Sequence, residues 1–397
     1  MPVKVLIVDD SGFFRHRISD LLSGDCRIEV VGTAKNGKEA IEQAKALRPN
    51  LITMDVEMPQ MNGIEAVRVI MRECPTNILM LSSLTSEGAR VTIQALEAGA
   101  LDYLSKDMRA WMAHSGSLEK QLRDKVVALG RSRHAGLRNR FSDPSASSSR
   151  VFKSEPVSTL KTSLDVTSPR SPTSSNRFAS NSAQAGKTKE TAKTAPRPSQ
   201  SAYGKKAVPD CRVVVIGSST GGPAALQQIL TQIPANFPHP ILLVQHMPKA
   251  FTSVFATRLD QQCDIAVKEA EDGDFLKPGR ALLAPGGCQM IIDPRSTDKI
   301  KIMPGDDRLT YKPSVDVTYA SVAKSFGKKV LAIILTGMGA DGCDGARMLR
   351  QQGATIWAQN KESCTIYGMP QAVINAGLAD AVFDLTELVS ILGSKRP

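Results

Sequence analysis

From residue 1 to about 130, short apolar runs alternate with stretches of helical spacing. Val3–Val8, Glu29–Ala34, Leu51–Met54, Ile78–Leu81 and Leu101–Leu104 read as strands. Phe13–Leu22, Lys38–Leu47, Ile64–Met71, Ala89–Ala98 and Leu118–Leu129 read as helices. Five strands alternating with five helices predict a parallel sheet with helices on both faces. The polar residues keep to the same pattern. Asp9, Asp10, Asp55, Ser82 and Lys106 fall just past the ends of four of the strands, and in a doubly wound sheet those ends share one crevice. Three carboxylates meeting there would repel one another unless a cation sat among them, and an all-oxygen site suits Mg²⁺. A lysine and a hydroxyl beside them suit a phosphoryl group held for attack by a carboxylate. Any one of these residues alone would read as a helix cap or a solvated loop end.

The alternation stops near Arg131 and resumes near residue 210. The stretch between is rich in Ser, Thr, Pro, Ala, Lys and Arg and lacks hydrophobic periodicity, a composition that buries too little apolar surface to offset its ordering entropy. It predicts a flexible, self-repelling tether. The tether also locates the charge. Between Arg131 and Pro209 stand 15 Lys+Arg and 4 Asp+Glu, so this segment alone carries the formal net charge of +11 of all 397 residues. The rest of the chain taken together is formally neutral, and no nucleic acid is expected as a partner. The positive charges within the tether are diluted among neutral residues, which disfavours a polybasic membrane or nucleic-acid contact.

From 210 onward, strands are predicted at Val213–Ile216, Ile241–Gln245, Ala281–Ala284, Met290–Asp293, Val330–Thr336 and Ala354–Trp357. Helices are predicted at Ala224–Ile233, Ala250–Asp260, Thr318–Phe326, Gly345–Gln352 and Pro370–Ala376. The fold class is therefore α/β throughout: a flavodoxin-like N-terminal domain over 1–125, a flexible basic linker over 126–209, and a doubly wound, mostly parallel α/β domain over 210–397. No run of 18 apolar residues is present, so no integral membrane protein is expected. The N-terminus enters a strand without a signal-peptide layout, and the seven cysteines include no Cys-x-x-Cys pair. A cytoplasmic protein with reduced thiols is the simplest reading.

The second domain carries candidate chemistry at one strand–turn–helix. Val213–Ile216 runs into Gly217-Ser218-Ser219-Thr220-Gly221-Gly222-Pro223, and Gly217-x-Ser219-x-Gly221 has the spacing of a nucleophile elbow. A serine hydroxyl needs an adjacent base, and this domain has two histidines. His239 precedes a strand, at the wrong end of the sheet, whereas His246 follows Ile241–Gln245 at the same edge as Ser219. An acid must then fix the imidazole tautomer. Asp341, in the loop after Val330–Leu335, reaches that edge, with Asp344 as its rival. The backbone N–H of Thr220 is the natural oxyanion donor. Two other readings compete. Gly337-x-Gly339-x-x-Gly342, with Glu362 about 20 residues on, matches a dinucleotide fingerprint and would make this a non-catalytic nucleotide-binding output domain. Asp341 would then set a carboxylate beside a pyrophosphate, which argues against it. A DNA-binding regulator would need a helix-turn-helix after the first domain, where the tether stands instead.

Residues 1 to about 125 resemble the receiver domains of two-component response regulators. The likeness rests on Val8-Asp9-Asp10, Met54-Asp55-Val56-Glu57-Met58-Pro59-Gln60-Met61-Asn62-Gly63, Ser82-Ser83 and Lys106. It implies phosphorylation of Asp55 by a histidine kinase, Mg²⁺ held by Asp9, Asp10 and Asp55, and a switch made of Ser82, Lys106 and Tyr103. Asp107 departs from the proline usual after this lysine, so the cis peptide common there does not carry over. Residues 208–395 resemble the CheB family of chemotaxis response regulators with protein-glutamate methylesterase activity. That likeness rests on Ile216–Pro223, Val244-Gln245-His246-Met247-Pro248, Ala284-Pro285-Gly286-Gly287, Pro313-Ser314-Val315-Asp316-Val317 and Leu335–Gly342. It implies catalysis by Ser219, His246 and Asp341, which decides against Asp344, with Thr220 and Met338 lining the centre. It further implies hydrolysis of glutamate γ-methyl esters on methylated chemoreceptors and deamidation of receptor glutamines, with no cofactor in the catalytic domain. Docking of the unphosphorylated receiver over the catalytic edge is expected as well.

Overall fold

The computed structural model describes residues 1–106, 111, 116–132, 207–306 and 308–394. The predicted linker lies outside the described residues except at its two ends, and so does Asp107. The first part runs β1 (Val3–Val8), α1 (Gly12–Ser23), β2 (Ile28–Ala34), α2 (Gly37–Leu47), β3 (Leu51–Asp55), α3 (Gly63–Glu73), β4 (Asn77–Ser82), α4 (Ser86–Glu97), β5 (Asp102–Ser105) and α5 (Gly116–Gly130). Each of these elements was legible in the hydrophobic pattern. Helix α5 continues five residues past the expected boundary at 125. The strands pair in parallel in the order β2-β1-β3-β4-β5. Strands β3 and β4 are buried at every position, as strands covered on both faces must be. The order reverses between β1 and β3, and there Asp9 and Asp55 stand side by side.

The second part begins with β6 (Val213–Ser218), α6 (Gly222–Leu230), β7 (Ile241–Gln245), α7 (Lys249–Asp260), β8 (Ala266–Glu269) and β9 (Arg280–Leu283). It continues with β10 (Cys288–Asp293), β11 (Ser296–Pro304), α8 (Val315–Phe326), β12 (Val330–Ile334), α9 (Cys343–Gln351), β13 (Thr355–Gln359), α10 (Met369–Asn375), β14 (Ala381–Phe383) and α11 (Leu385–Gly393). Seven strands form one parallel sheet in the order β14-β13-β12-β6-β7-β9-β8. One expectation needs correcting. Met290–Asp293 does not join this sheet but pairs antiparallel with β11 in a separate hairpin. The central strands β6, β7 and β12 are buried throughout. The strand order reverses at β6, which has β7 on one side and β12 on the other, so the crevice that follows from a switch point lies at their carboxyl ends.

Candidate active site and acidic pocket

Three adjacent strands deliver three candidate side chains to one rim. Ser218 pairs with Gln245 across β6 and β7, and Gly217 pairs with Ile334 across β6 and β12. Ser219 and His246 are each the next residue beyond the Ser218–Gln245 pair. The backbone keeps them in register past the strand ends: the Ser219 N–H donates to Thr336 O (3.0 Å) and the His246 N–H to Ser218 O (3.1 Å). The buried Gln245 amide clips the two turns together. Its Oε1 accepts from Ser218 Oγ (2.7 Å), and its Nε2 donates to the carbonyls of Ser219 (3.0 Å) and His246 (3.1 Å). The turn differs from a strained elbow. Among the described residues the non-glycine positions with positive φ are Arg48 and Gln60, so Ser219 is not strained. The left-handed position is Gly221, at φ 77°. Gly222 is needed because a Cβ there would come within 2.0 Å of Gln245 Oε1.

His246 and Asp341 are joined. Asp341 Oδ2 lies 2.7 Å from His246 Nε2 and accepts the Val315 N–H at 2.7 Å. Its Oδ1 accepts from Ser314 Oγ (2.8 Å) and the Asp316 N–H (3.1 Å). The donors come from the start of α8, where Ser314 also caps the helix. Burial alone would raise the Asp341 carboxyl, but the His246 hydrogen bond and charge and these backbone donors outweigh it and hold it below the usual range. Burial pushes the neighbouring Asp316 up, helped by the charge of Asp341. A carboxylate at Nε2 places the ring proton there and leaves Nδ1 as the basic atom. Nδ1 is buried and has no hydrogen-bond partner, so Ser219 Oγ is not bonded to the ring. His239 sits before β7 at the far end, edge-on to Phe237 (5.5 Å between centroids). Met338 is half-buried in the loop after β12.

The acidic pocket of the first domain is assembled as its sequence predicts. Carboxylate oxygens of Asp9, Asp10 and Asp55 lie within 4.8 Å of one another. Lys106 Nζ reaches Asp9 Oδ2 (2.9 Å) and Asp55 Oδ2 (2.8 Å) from the end of β5. Burial, and then the charge of Asp9, raise the Asp55 carboxyl to about 6 against the pull of Lys106. Burial raises Asp9 likewise. Carboxylates crowded in this way, short of positive charge, fit a hard divalent cation. The Ser82 hydroxyl, at the end of β4, donates to Gly88 O (3.1 Å).

Comparison with known proteins settles the affiliation. The "CheB methylesterase" family profile matches residues 214–392, and "Response regulator receiver domain" matches residues 5–112. The "Protein-glutamate methylesterase/protein-glutamine glutaminase of group 1 operon" of Pseudomonas putida is 55% identical over 388 residues, covering 98% of each chain. A Pseudomonas aeruginosa relative, "Protein-glutamate methylesterase/protein-glutamine glutaminase 1", is 54% identical over 388 residues, again covering 98% of each. The chain belongs to the CheB family. The Thermotoga maritima CheB methylesterase catalytic domain is 42% identical, with a TM-score of 0.44, covering 46% of this chain and 97% of that one.

In this CheB chain the receiver lies against the candidate active site. Asp102 Oδ2, at the start of β5, accepts from Thr220 Oγ1 (2.7 Å) and from Lys125 of α5, whose Nζ is also 3.3 Å from Thr220 Oγ1. Tyr103 is buried and stacks on Phe251 of α7, with centroids 4.5 Å apart and planes 11° from parallel. Helix α4 packs on α7, where Glu97 takes two hydrogen bonds from Arg258 (2.8 and 3.0 Å) and one from Gln262 (3.0 Å). Sequence reasoning missed Gln245, Ser314, Asp102, Lys125 and Phe251 as parts of the site. Gln245 and Ser314 stood inside quoted motifs. For the receiver contacts no local signal exists, because they depend on how two domains meet.

Proposed function

We propose that Ser219, His246 and Asp341 are the nucleophile, base and orienting acid of a protein-glutamate methylesterase and protein-glutamine glutaminase. The reading is carried by one observation: His246 is held at Nε2 by a buried carboxylate while its Nδ1 lies unpartnered at the rim that bears Ser219. Ser219 Oγ attacks the γ-ester carbonyl and its proton passes to Nδ1. The carbon–methoxy bond breaks, and methanol leaves with the proton from His246. Water then adds with the same base, the bond to Ser219 breaks, and the glutamate carboxylate is released. A glutamine substrate follows the same course with ammonia as the leaving group. Hydrogen bonds of this kind commonly close only with substrate bound. The turn N–H at Thr220, with Met338 nearby, would face the developing oxyanion.

The receiver would gate this chemistry. Asp9, Asp10 and Asp55 would hold Mg²⁺, which neutralises charge around an entering phosphoryl group. Asp55 is the acceptor, and a histidine kinase of the same cytoplasmic pathway is the donor. Lys106 and Ser82 would read the phosphoryl group and Tyr103 would transmit it. Tyr103 is already seated on Phe251, and Asp102 already occupies the Thr220 hydroxyl. Phosphorylation would loosen that docking and open the rim to the methylated helices of chemoreceptors. The test is methanol release from tritium-methylated receptor membranes with and without a small-molecule phosphodonor. Release should rise with phosphodonor, and Asp55→Asn should keep the basal rate while losing the rise. An unaltered response in Asp55→Asn overturns the gating.

A further inference from the structure

Tyr311 lies in the loop between β11 and α8, and its ring stacks on the His246 imidazole. The centroids are 4.1 Å apart and the planes 8° from parallel. The same short loop leads directly into Ser314, Val315 and Asp316, which hold Asp341. It is pinned twice to Gln289, whose Nε2 donates to Tyr311 O (2.8 Å) and whose Oε1 accepts the Ser314 N–H (2.8 Å). The ring's far end is accommodated by Gly339, at φ 91°, where a Cβ would come within 2.8 Å of the Tyr311 hydroxyl. One segment therefore fixes the imidazole in two directions, with Asp341 at its edge and Tyr311 on its face.

We propose that Tyr311 is a positioning residue for His246, acting through its aromatic face. The stack sets the ring plane and so aims Nδ1 along the rim toward Ser219. The π face also favours the imidazolium that forms when His246 takes the serine proton. The hydroxyl is not required for either role. Asp341 at Nε2 and Tyr311 on the ring face are titratable groups in contact with His246, and Asp341 in turn accepts the Asp316 N–H.

The inference rests on the catalytic reading above, and the experiment separates the two. Full-length chain treated with phosphodonor is assayed for methanol release from tritium-methylated receptor membranes, using Tyr311→Phe, Tyr311→Leu and Ser219→Ala. Tyr311→Phe should stay within about twofold of the parent. Tyr311→Leu keeps apolar cover without a π face, and its kcat should fall about tenfold with KM unchanged, equivalent to about 1.4 kcal/mol of imidazolium stabilisation. The acid limb of its pH–rate profile should move to lower pH, since the charged imidazole is less favoured. Equal rates and profiles in the Phe and Leu variants overturn the proposal while leaving the triad intact. Equal losses in both overturn it as well, because they make the hydroxyl the active part. Undiminished release by Ser219→Ala instead overturns the catalytic reading beneath it.

Discussion

Asp341 is the residue on which the site's protonation state turns. All four of its partners are donors, so a carboxylate is required, and an amide in its place must turn an N–H toward one of them. Asp341→Asn is expected to leave the fold intact and lower kcat by about 10⁴, because the imidazole loses its tautomer. Single-turnover methanol release checks this. Asp55 presents the opposite case. Its carboxyl is raised from 3.8 to about 6 by burial and by Asp9, so folding favours the protonated form. Its stabilising effect is complete below pH 3.8, is lost as pH rises through 6, and stays lost above. In metal-free buffer Asp55→Asn should therefore be more stable than the parent at pH 7.5, by on the order of 1–3 kcal/mol. That gap should close on acidification to pH 4 or on adding Mg²⁺, as followed by thermal unfolding. Ser219, His246 and the acidic trio are legible in sequence because each stands at or just past the end of an apolar strand, whereas Asp341 lies in the loop beyond β12 and is told from Asp344 by the family resemblance alone. Tyr311 is not legible there, since its role depends on a loop from elsewhere folding over β7.

Strands β12, β6 and β7 are neighbours in space though far apart in sequence, and this order brings three strand ends to one rim. Their apolar runs were plain in the sequence; their adjacency was not. The Gln245 amide converts adjacency into geometry by bonding Ser218, Ser219 and His246 together. Gln245→Leu leaves the buried Ser218 hydroxyl without its acceptor and should cost about 1–3 kcal/mol of stability. The rate should drop by more than the unfolded fraction explains, measured by denaturant unfolding and by kcat on the same preparation. The missed elements have physical explanations. β14 has three residues and β8 four, too short to show a period. Helix α11 did carry a signal, the Asp384–Glu387 capping box that the structure forms. β10 carries the apolar run Met290–Ile292 of a sheet strand, and its antiparallel partner is fixed by a tight connection through Pro294 and Arg295.

For the whole molecule, the question is how firmly the receiver covers the rim. Part of the grip is the Arg258–Glu97 pair between α7 and α4, half exposed at its arginine end and bidentate. Such a pair is worth about 0.2–1 kcal/mol, a factor of about 1.4–5 in the docking equilibrium. Arg258→Ala should raise basal methanol release by that factor without phosphodonor and shrink the phosphodonor response to match. A lower basal rate would mean that docking assists catalysis. Among the described residues no helix is long and apolar enough to cross a membrane, and the seven cysteines are not joined in disulfides. The most direct test of the account is methanol release from methylated receptor membranes by phosphodonor-treated Ser219→Ala beside the parent chain. Release should fall by at least about 10³, leaving only what the remaining groups provide. Release near the parental rate would show that another group attacks the ester.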